Sequence, residues 1–180
     1  MSASVGILHH EAGAENRRRM IAVDVAIVAS CAAGFAHLVA APGHYTWWPA
    51  SGVFFAVLGI AQLGHAAMLQ LGCRGRLVVL AGIWVTVGVI LVYVASRTVG
   101  IPTAPPVPAH GGRWSIGRSI VPDGAKHVGP LDVLTLVAEL VEVVVLMTML
   151  PAASKRRATN QLMWIGLGLW GAAVVAVFRF

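Results

Sequence analysis

The chain has 180 residues, of which 58% are hydrophobic and only 11% are charged, and its formal net charge is +6. Soluble domains carry about a quarter of their residues as charged side chains, so the composition excludes that class. In a soluble protein the positive charge would suggest a nucleic-acid partner. Here the basic residues cluster between apolar runs, as the positive-inside rule of membrane proteins requires, and we expect no nucleic-acid partner.

Five long apolar runs divide the sequence, and each is close to the ~20 residues that a helix needs to cross a bilayer. Lipid offers the backbone no hydrogen bonds, so spanning segments are helices or closed barrels. Continuous apolar runs exclude a barrel, whose strands alternate polar and apolar residues. The sequence therefore predicts an all-α, polytopic transmembrane bundle of five spans, with a four-helix core and a peripheral fifth. The predicted spans are Met20–Ala41, Gly52–Leu71, Leu77–Ala95, Leu131–Leu150 and Leu162–Phe178.

Three basic clusters lie between the predicted spans so that all of them fall on one side of the membrane. If that side is cytoplasmic, the N-terminus is inside and the C-terminus is outside. We therefore expect a multi-pass protein of the plasma membrane, with residues 1–19 as a cytoplasmic tail and 20–178 as one transmembrane domain. Within it, the proline- and glycine-rich segment 97–130 is predicted to form an extracytoplasmic loop. The clusters are Arg17–Arg19, Arg74 with Arg76, and Lys155–Arg157.

Helix-breaking and helix-capping residues mark the predicted boundaries. Pro42 and Gly43 are expected to end span one, and Ser51 is a candidate N-cap of span two. The short segment 72–76 predicts a tight turn, so spans two and three form an antiparallel hairpin. Span five is rich in glycine, which leaves a smooth face for close packing against another helix.

Ionisable side chains inside membrane spans are costly, and they mark candidate functional sites. Counted at ~1.5 Å per residue along each helix, they fall into two sets. An outer set lies toward the extracytoplasmic face: His37, His44, Arg97, Asp132 and Glu139. A cytoplasmic set lies near the opposite face: Asp24, Gln62 and His65. Glu142 is rotated by about 60° from Glu139 on span four.

The outer set supports three interpretations. Imidazole and carboxylate ligands outside the cytoplasm favour a copper site, for which the ligands would be His37, His44, Asp132 and Glu139. A structural network would instead use Arg97 to neutralise a carboxylate. A proton relay would use the same acids and imidazoles. The sequence leaves all three open.

Three segments, SRTVGIP, VGPLDVLTLVAELVEV and AHLVAAPGHYTWWPASGVFFAVLGIAQ, resemble small polytopic membrane proteins of actinobacteria. In these proteins an RTxGxP turn closes one span and a VGxxD…E segment opens the next. The resemblance covers spans one to four, and it implies their architecture and the choice of polar cluster without implying an activity. By matching position it includes His37, His44, Gln62, Arg97, Thr98, Gly100, Pro102, Asp132 and Glu139.

Sequence signatures of soluble catalysis, such as a phosphate loop, GxSxG or HExxH, are missing from the chain. That favours a non-enzymatic membrane subunit or accessory protein of a larger complex, with copper handling as a role for the outer set. Its expected partners are the bilayer and other membrane subunits or a second copy of the chain. Two alternatives stay open: a small proton- or cation-coupled transporter using Glu139 and Glu142, and a membrane-embedded metalloenzyme.

Overall fold

The computed structural model describes residues 2–98 and 129–178, with side chains for 13–46, 48–96 and 129–171. These residues form five α-helices and no strand, so the predicted all-α class is confirmed for this part of the chain. The predicted extracytoplasmic loop lies almost entirely outside the described residues. The helices are α1 (Ser2–Trp47), α2 (Pro49–Gln70), α3 (Arg76–Thr98), α4 (Pro130–Met149) and α5 (Ala152–Phe178).

Among the residues that the structure describes, three helical segments are long and apolar enough to cross a membrane: Gly13–Thr46, Pro49–Gln70 and Arg76–Ser96. They correspond to the first three predicted spans and indicate a membrane protein. The predicted fourth and fifth spans are not among them. For α4 the reason is its three carboxylates within 20 residues, since composition alone treats each acid as a barrier to insertion.

The predicted end of span one is wrong, because α1 continues through Pro42 and Gly43 to Trp47. A proline inside a membrane helix is tolerated where neighbouring groups stabilise the backbone around it. Here the hydroxyl of Ser51 donates to the carbonyls of His44, at 3.2 Å, and Trp48, at 2.8 Å. Ser51 therefore lies within the first turn of α2 and ties it to the end of α1, whereas the N-cap position is Trp48.

Two other boundaries differ from the sequence prediction. The predicted tail is helical from Ser2 onward, and α5 begins at Ala152, ten residues before the predicted span. Each added segment contains three alanines and at least two arginines, residues of high helix propensity. The basic cluster Lys155–Arg157 consequently lies in the first two turns of α5, and not in a loop.

Small residues allow α1 and α2 to pack closely. A Cβ atom at Gly59 would lie 2.7 Å from the carbonyl oxygen of Gly34, and one at Gly34 would lie 3.0 Å from the carbonyl oxygen of Gly59. Close backbone approach of this kind replaces the hydrophobic driving force that lipid removes. A different face of α1 buries a stripe of alanines at helical spacing: Ala26, Ala29, Ala33 and Ala36.

The remaining helices assemble around α4, which packs against both α1 and α3. Gly72, with φ of 85°, lies in the short turn between α2 and α3, and these two helices contact each other only weakly. The apolar core of this region includes Leu69, Ile83 and Leu146, all fully buried. In contrast, α5 packs only weakly on α4. The core of the described bundle is therefore formed by α1 to α4.

We predict that Gly59→Ala destabilises the bundle by about 1–3 kcal/mol, because the new methyl group overlaps the α1 backbone. Thermal unfolding in detergent, followed by circular dichroism, measures the loss. The matched control is Gly64→Ala on the same helix, where a Cβ atom meets nothing within 4 Å. We expect that change to be neutral or slightly stabilising. Equal effects of the two substitutions would contradict the close crossing.

Candidate functional site

The two glutamates of α4 are buried in the bundle interior. Glu139 is 2% exposed and Glu142 is 1% exposed. Residues three apart on a helix are neighbours on one face, so both carboxylates point to the same side of α4. The opposite side carries exposed aliphatic residues, including Leu134, Val137 and Val144. Helix α4 thus has its carboxylates inside the bundle and its aliphatic side chains outside, which is the reverse of a helix in a soluble bundle.

The first carboxylate pairs with a histidine of α1. The distance between His37 Nε2 and Glu139 Oε1 is 3.0 Å, and both side chains are almost completely buried. The ring of Phe55 on α2 packs against His37, with ring centroids 5.5 Å apart. The same phenyl ring packs against His44 at 4.2 Å. The pair is therefore covered by aromatic rings toward the end of α1.

The second carboxylate, Glu142, lies in a cluster of side chains from all four core helices. Glu142 Oε1 lies 3.1 Å from His65 Nδ1 on α2, and Glu142 Oε2 accepts a hydrogen bond of 3.3 Å from the hydroxyl of Thr86 on α3. The hydroxyl of Ser30 on α1 lies 3.4 Å from the same histidine nitrogen. It also donates to the backbone carbonyl of Gln62 at 3.0 Å.

A glycine on α3 makes room for the imidazole of this second pair. A Cβ atom at Gly82 would overlap His65 Cε1 and would lie 2.6 Å from Nε2 of the same ring. It would also lie 2.9 Å from a methyl group of Leu146. The His65 ring is therefore held between α3 and α4, and any larger residue at position 82 must displace it.

Three buried polar atoms of this region find no hydrogen-bond partner among the described residues: Gln62 Oε1, Gln62 Nε2 and His65 Nε2. Gln62 and His65 lie one turn apart on α2, so the three atoms belong to one polar region. Leaving a buried donor or acceptor unpaired costs about 1–3 kcal/mol. Because these unpaired atoms reduce stability, we infer that this polar region has a role other than packing.

The predicted copper ligands are brought together only in part. His37 and Glu139 are in contact, whereas Asp132 accepts a hydrogen bond of 3.0 Å from the Gly129 N–H at the start of α4. Seven residues, or about 10 Å of helix, separate Asp132 from Glu139 and His37 from His44. In the part of the chain that the structure describes, no three His, Cys, Asp or Glu residues are grouped closely enough to hold a metal ion.

The supporting residues are distributed differently from their predicted sets. The cytoplasmic set placed His65 with Asp24, but Asp24 is exposed and His65 pairs with Glu142. Gln62 is buried, as expected of a polar residue facing the interior. The side chain of Arg97 lies outside the described residues. Sequence reasoning missed Ser30, Thr86 and Gly82, and only the burial of a hydroxyl within an apolar run could have indicated the first two.

Comparison of the chain with protein-family models, with curated proteins and with solved structures finds no match. The candidate site therefore rests on its own geometry.

We predict that Gly82→Ala lowers stability by displacing His65, and that the loss is smaller in a His65→Ala background. The expected coupling is about 0.5–3 kcal/mol, as for residues in direct contact. Unfolding of the four proteins of this double-mutant cycle in detergent measures it. Gly88→Ala is the control on α3, because a Cβ atom there meets nothing within 4 Å. Additive effects of the Gly82 and His65 substitutions would show that the ring lies elsewhere.

Proposed function

We propose that the chain is a multi-pass protein of the plasma membrane with five spans and a cytoplasmic N-terminus. The inward orientation of Glu139 and Glu142 supports α4 as a span, because it leaves aliphatic side chains to face lipid. The basic residues that precede the apolar part of α1, those around the α2–α3 turn and those at the start of α5 support the orientation. The resemblance to small actinobacterial membrane proteins is part of this proposal.

Within that architecture, we propose that the bundle interior exchanges protons and that the chain acts as a small proton-coupled transporter. The observation that carries the proposal is the pair of buried imidazole–carboxylate contacts, 3.0 Å and 3.1 Å long, one helical turn apart on α4. Chains of acids and histidines facing a bundle interior form proton relays in membrane transporters. Each pair can hold a proton on either partner, so each supplies a step of such a relay.

The spacing of the pairs favours transfer over a purely structural role. Glu139 and Glu142 have Cβ atoms about 5–6 Å apart, a separation that one hydroxyl or one water can bridge. A buried ion pair is also a weak source of stability, since apolar residues of similar volume often replace it without loss. Two such pairs in one small bundle are therefore better explained by a chemical role than by packing.

Proton flux into vesicles tests the proposal. We expect purified protein in liposomes, driven by a potassium diffusion potential, to admit protons faster than empty liposomes, as measured by an internal pH-sensitive dye. Glutamine keeps the size of glutamate but cannot release a proton, so Glu139→Gln and Glu142→Gln should each slow the flux ~10-fold or more, about 1.4 kcal/mol in barrier height.

Glu15→Gln is the matched control, because Glu15 is exposed and lies outside the apolar run. It should leave the flux unchanged. Folded Glu139 and Glu142 variants with undiminished flux would contradict the proposal, as would wild-type vesicles no faster than empty ones.

The second candidate function is the non-enzymatic subunit of a larger membrane complex, and α5 favours it. This helix packs weakly on the bundle. Its Trp164 and Trp170 side chains are 68% and 69% exposed, and Cβ atoms at Gly168 and Gly171, which share one face of the helix, would meet nothing within 4 Å. A smooth glycine face beside large aromatic residues suits packing against another membrane helix.

If that function holds, Trp164→Ala combined with Trp170→Ala should release a partner that the wild-type chain retains in mild detergent. Val53→Ala with Val57→Ala is the control, since these α2 side chains are 53% and 61% exposed. Mass analysis of the complex gives the result, and a wild-type chain purified from its own membrane as a monomer would count against the subunit role.

The copper-handling role and the metalloenzyme alternative stay predictions, which metal analysis of the same sample tests.

A further inference from the structure

A cavity of about 180 Å³ lies between α3 and α5, at the end of the bundle where both helices begin. The two helices do not pack directly on each other, since α5 joins the bundle through α4. The cavity therefore separates two helices that could otherwise touch. Its walls include Arg76, Leu80 and Trp84 from α3, and Ser154, Arg157 and Gln161 from α5.

The cavity-lining residues of each helix lie one turn apart, so they are at successive depths along α3 and α5. Arg76, Leu80 and Trp84 are four residues apart, so they form one face of α3 with the guanidinium at the helix start and the indole two turns further in. Arg157 lies in the second turn of α5 and Gln161 lies one turn deeper. Positive charge is thus concentrated toward the helix starts, and apolar surface lies deeper in the cavity on the α3 side.

The charges of the cavity have one sign. No carboxylate is among its lining residues, and neither Arg76 nor Arg157 takes part in an ion pair between described residues. Two guanidinium groups from different helices therefore face one small volume without an acidic partner there. Arginine binds phosphate through paired N–H donors, and a hydroxyl and an amide complete a set of donors.

We propose that this cavity binds the headgroup of an anionic phospholipid. Arg76 and Arg157 hold the phosphodiester, and Ser154 and Gln161 donate hydrogen bonds to its oxygens. The glycerol and upper acyl carbons lie against Leu80 and Trp84. Basic pockets between membrane helices bind acidic lipid headgroups. The proposal requires only that the chain lies in a membrane, and it is independent of proton exchange.

The apolar wall distinguishes a lipid from a soluble anion. At ~30 Å³ per water molecule, the cavity has room for about six waters, enough for a phosphodiester but not for a whole lipid. Acyl chains must therefore leave the cavity along the gap between α3 and α5. A free phosphate would use the arginines and leave the contact surface of Leu80 and Trp84 without a ligand.

Quenching by brominated lipid measures the binding. Purified protein in mild detergent is titrated with dibrominated phosphatidylglycerol, dibrominated phosphatidylcholine or inorganic phosphate, and tryptophan fluorescence is followed. We expect phosphatidylglycerol to bind at least ~10-fold more tightly than phosphatidylcholine. Arg76→Gln combined with Arg157→Gln should remove that preference. Ser154→Leu, which fills the cavity without changing charge, should weaken binding as well.

Lys155→Gln combined with Arg156→Gln is the matched control, because it removes the same charge from exposed neighbours that do not line the cavity. An equal loss in the control and in the cavity variant would reduce the effect to general surface attraction and overturn the proposal. Inorganic phosphate that competes as strongly as phosphatidylglycerol would assign the site to a soluble anion. Circular dichroism and gel filtration show that each variant is folded, and Ser154→Leu tests the site if the arginine variant is not.

Discussion

The need of two buried carboxylates for partners fixes the orientation of α4, and the rest of the bundle follows from it. An aliphatic helix in lipid gains little by rotating one face or another toward its neighbours, because lipid tails are as apolar as leucine. A carboxylate in the same place is costly unless it is paired or protonated. Glu139 and Glu142 therefore turn α4 toward the imidazoles of α1 and α2, and Thr86 of α3 completes the arrangement.

Contacts of about 3 Å between side chains on four helices require closely packed backbones. Small residues provide that approach where it is needed. Gly34 and Gly59 bring α1 and α2 together, the alanines of α1 leave room for α4, and Gly82 admits the ring of His65 beside α3. The polar contacts thus depend on the small residues, because the histidines and the glutamates could not meet if the helices lay further apart.

The all-α class and the first three long apolar segments could be predicted from sequence, since each depends on local composition. Boundaries such as the end of α1 could not, because His44 in the last turn of α1 accepts a hydrogen bond from Ser51 of α2, a contact that local composition does not show. The pairing of His65 with Glu142 was missed for a different reason. Depth along a helix follows from residue counting, but the rotation of α4 depends on tertiary contacts, and counting assigned His65 to the cytoplasmic set without pairing it with Glu142.

One imidazole–carboxylate pair would be enough to fix the rotation of α4. The second pair adds a buried histidine whose Nε2 atom finds no partner among the described residues, next to a glutamine amide in the same condition. Selection for stability alone would remove such groups, because each costs more than an apolar replacement. The excess polarity lies around Glu142, where all four core helices meet, while Glu139 is covered by the rings of Phe55 and His44. The polar groups of this bundle are therefore concentrated in the Glu142 cluster, and the His37–Glu139 pair lies nearer the C-terminal end of α1.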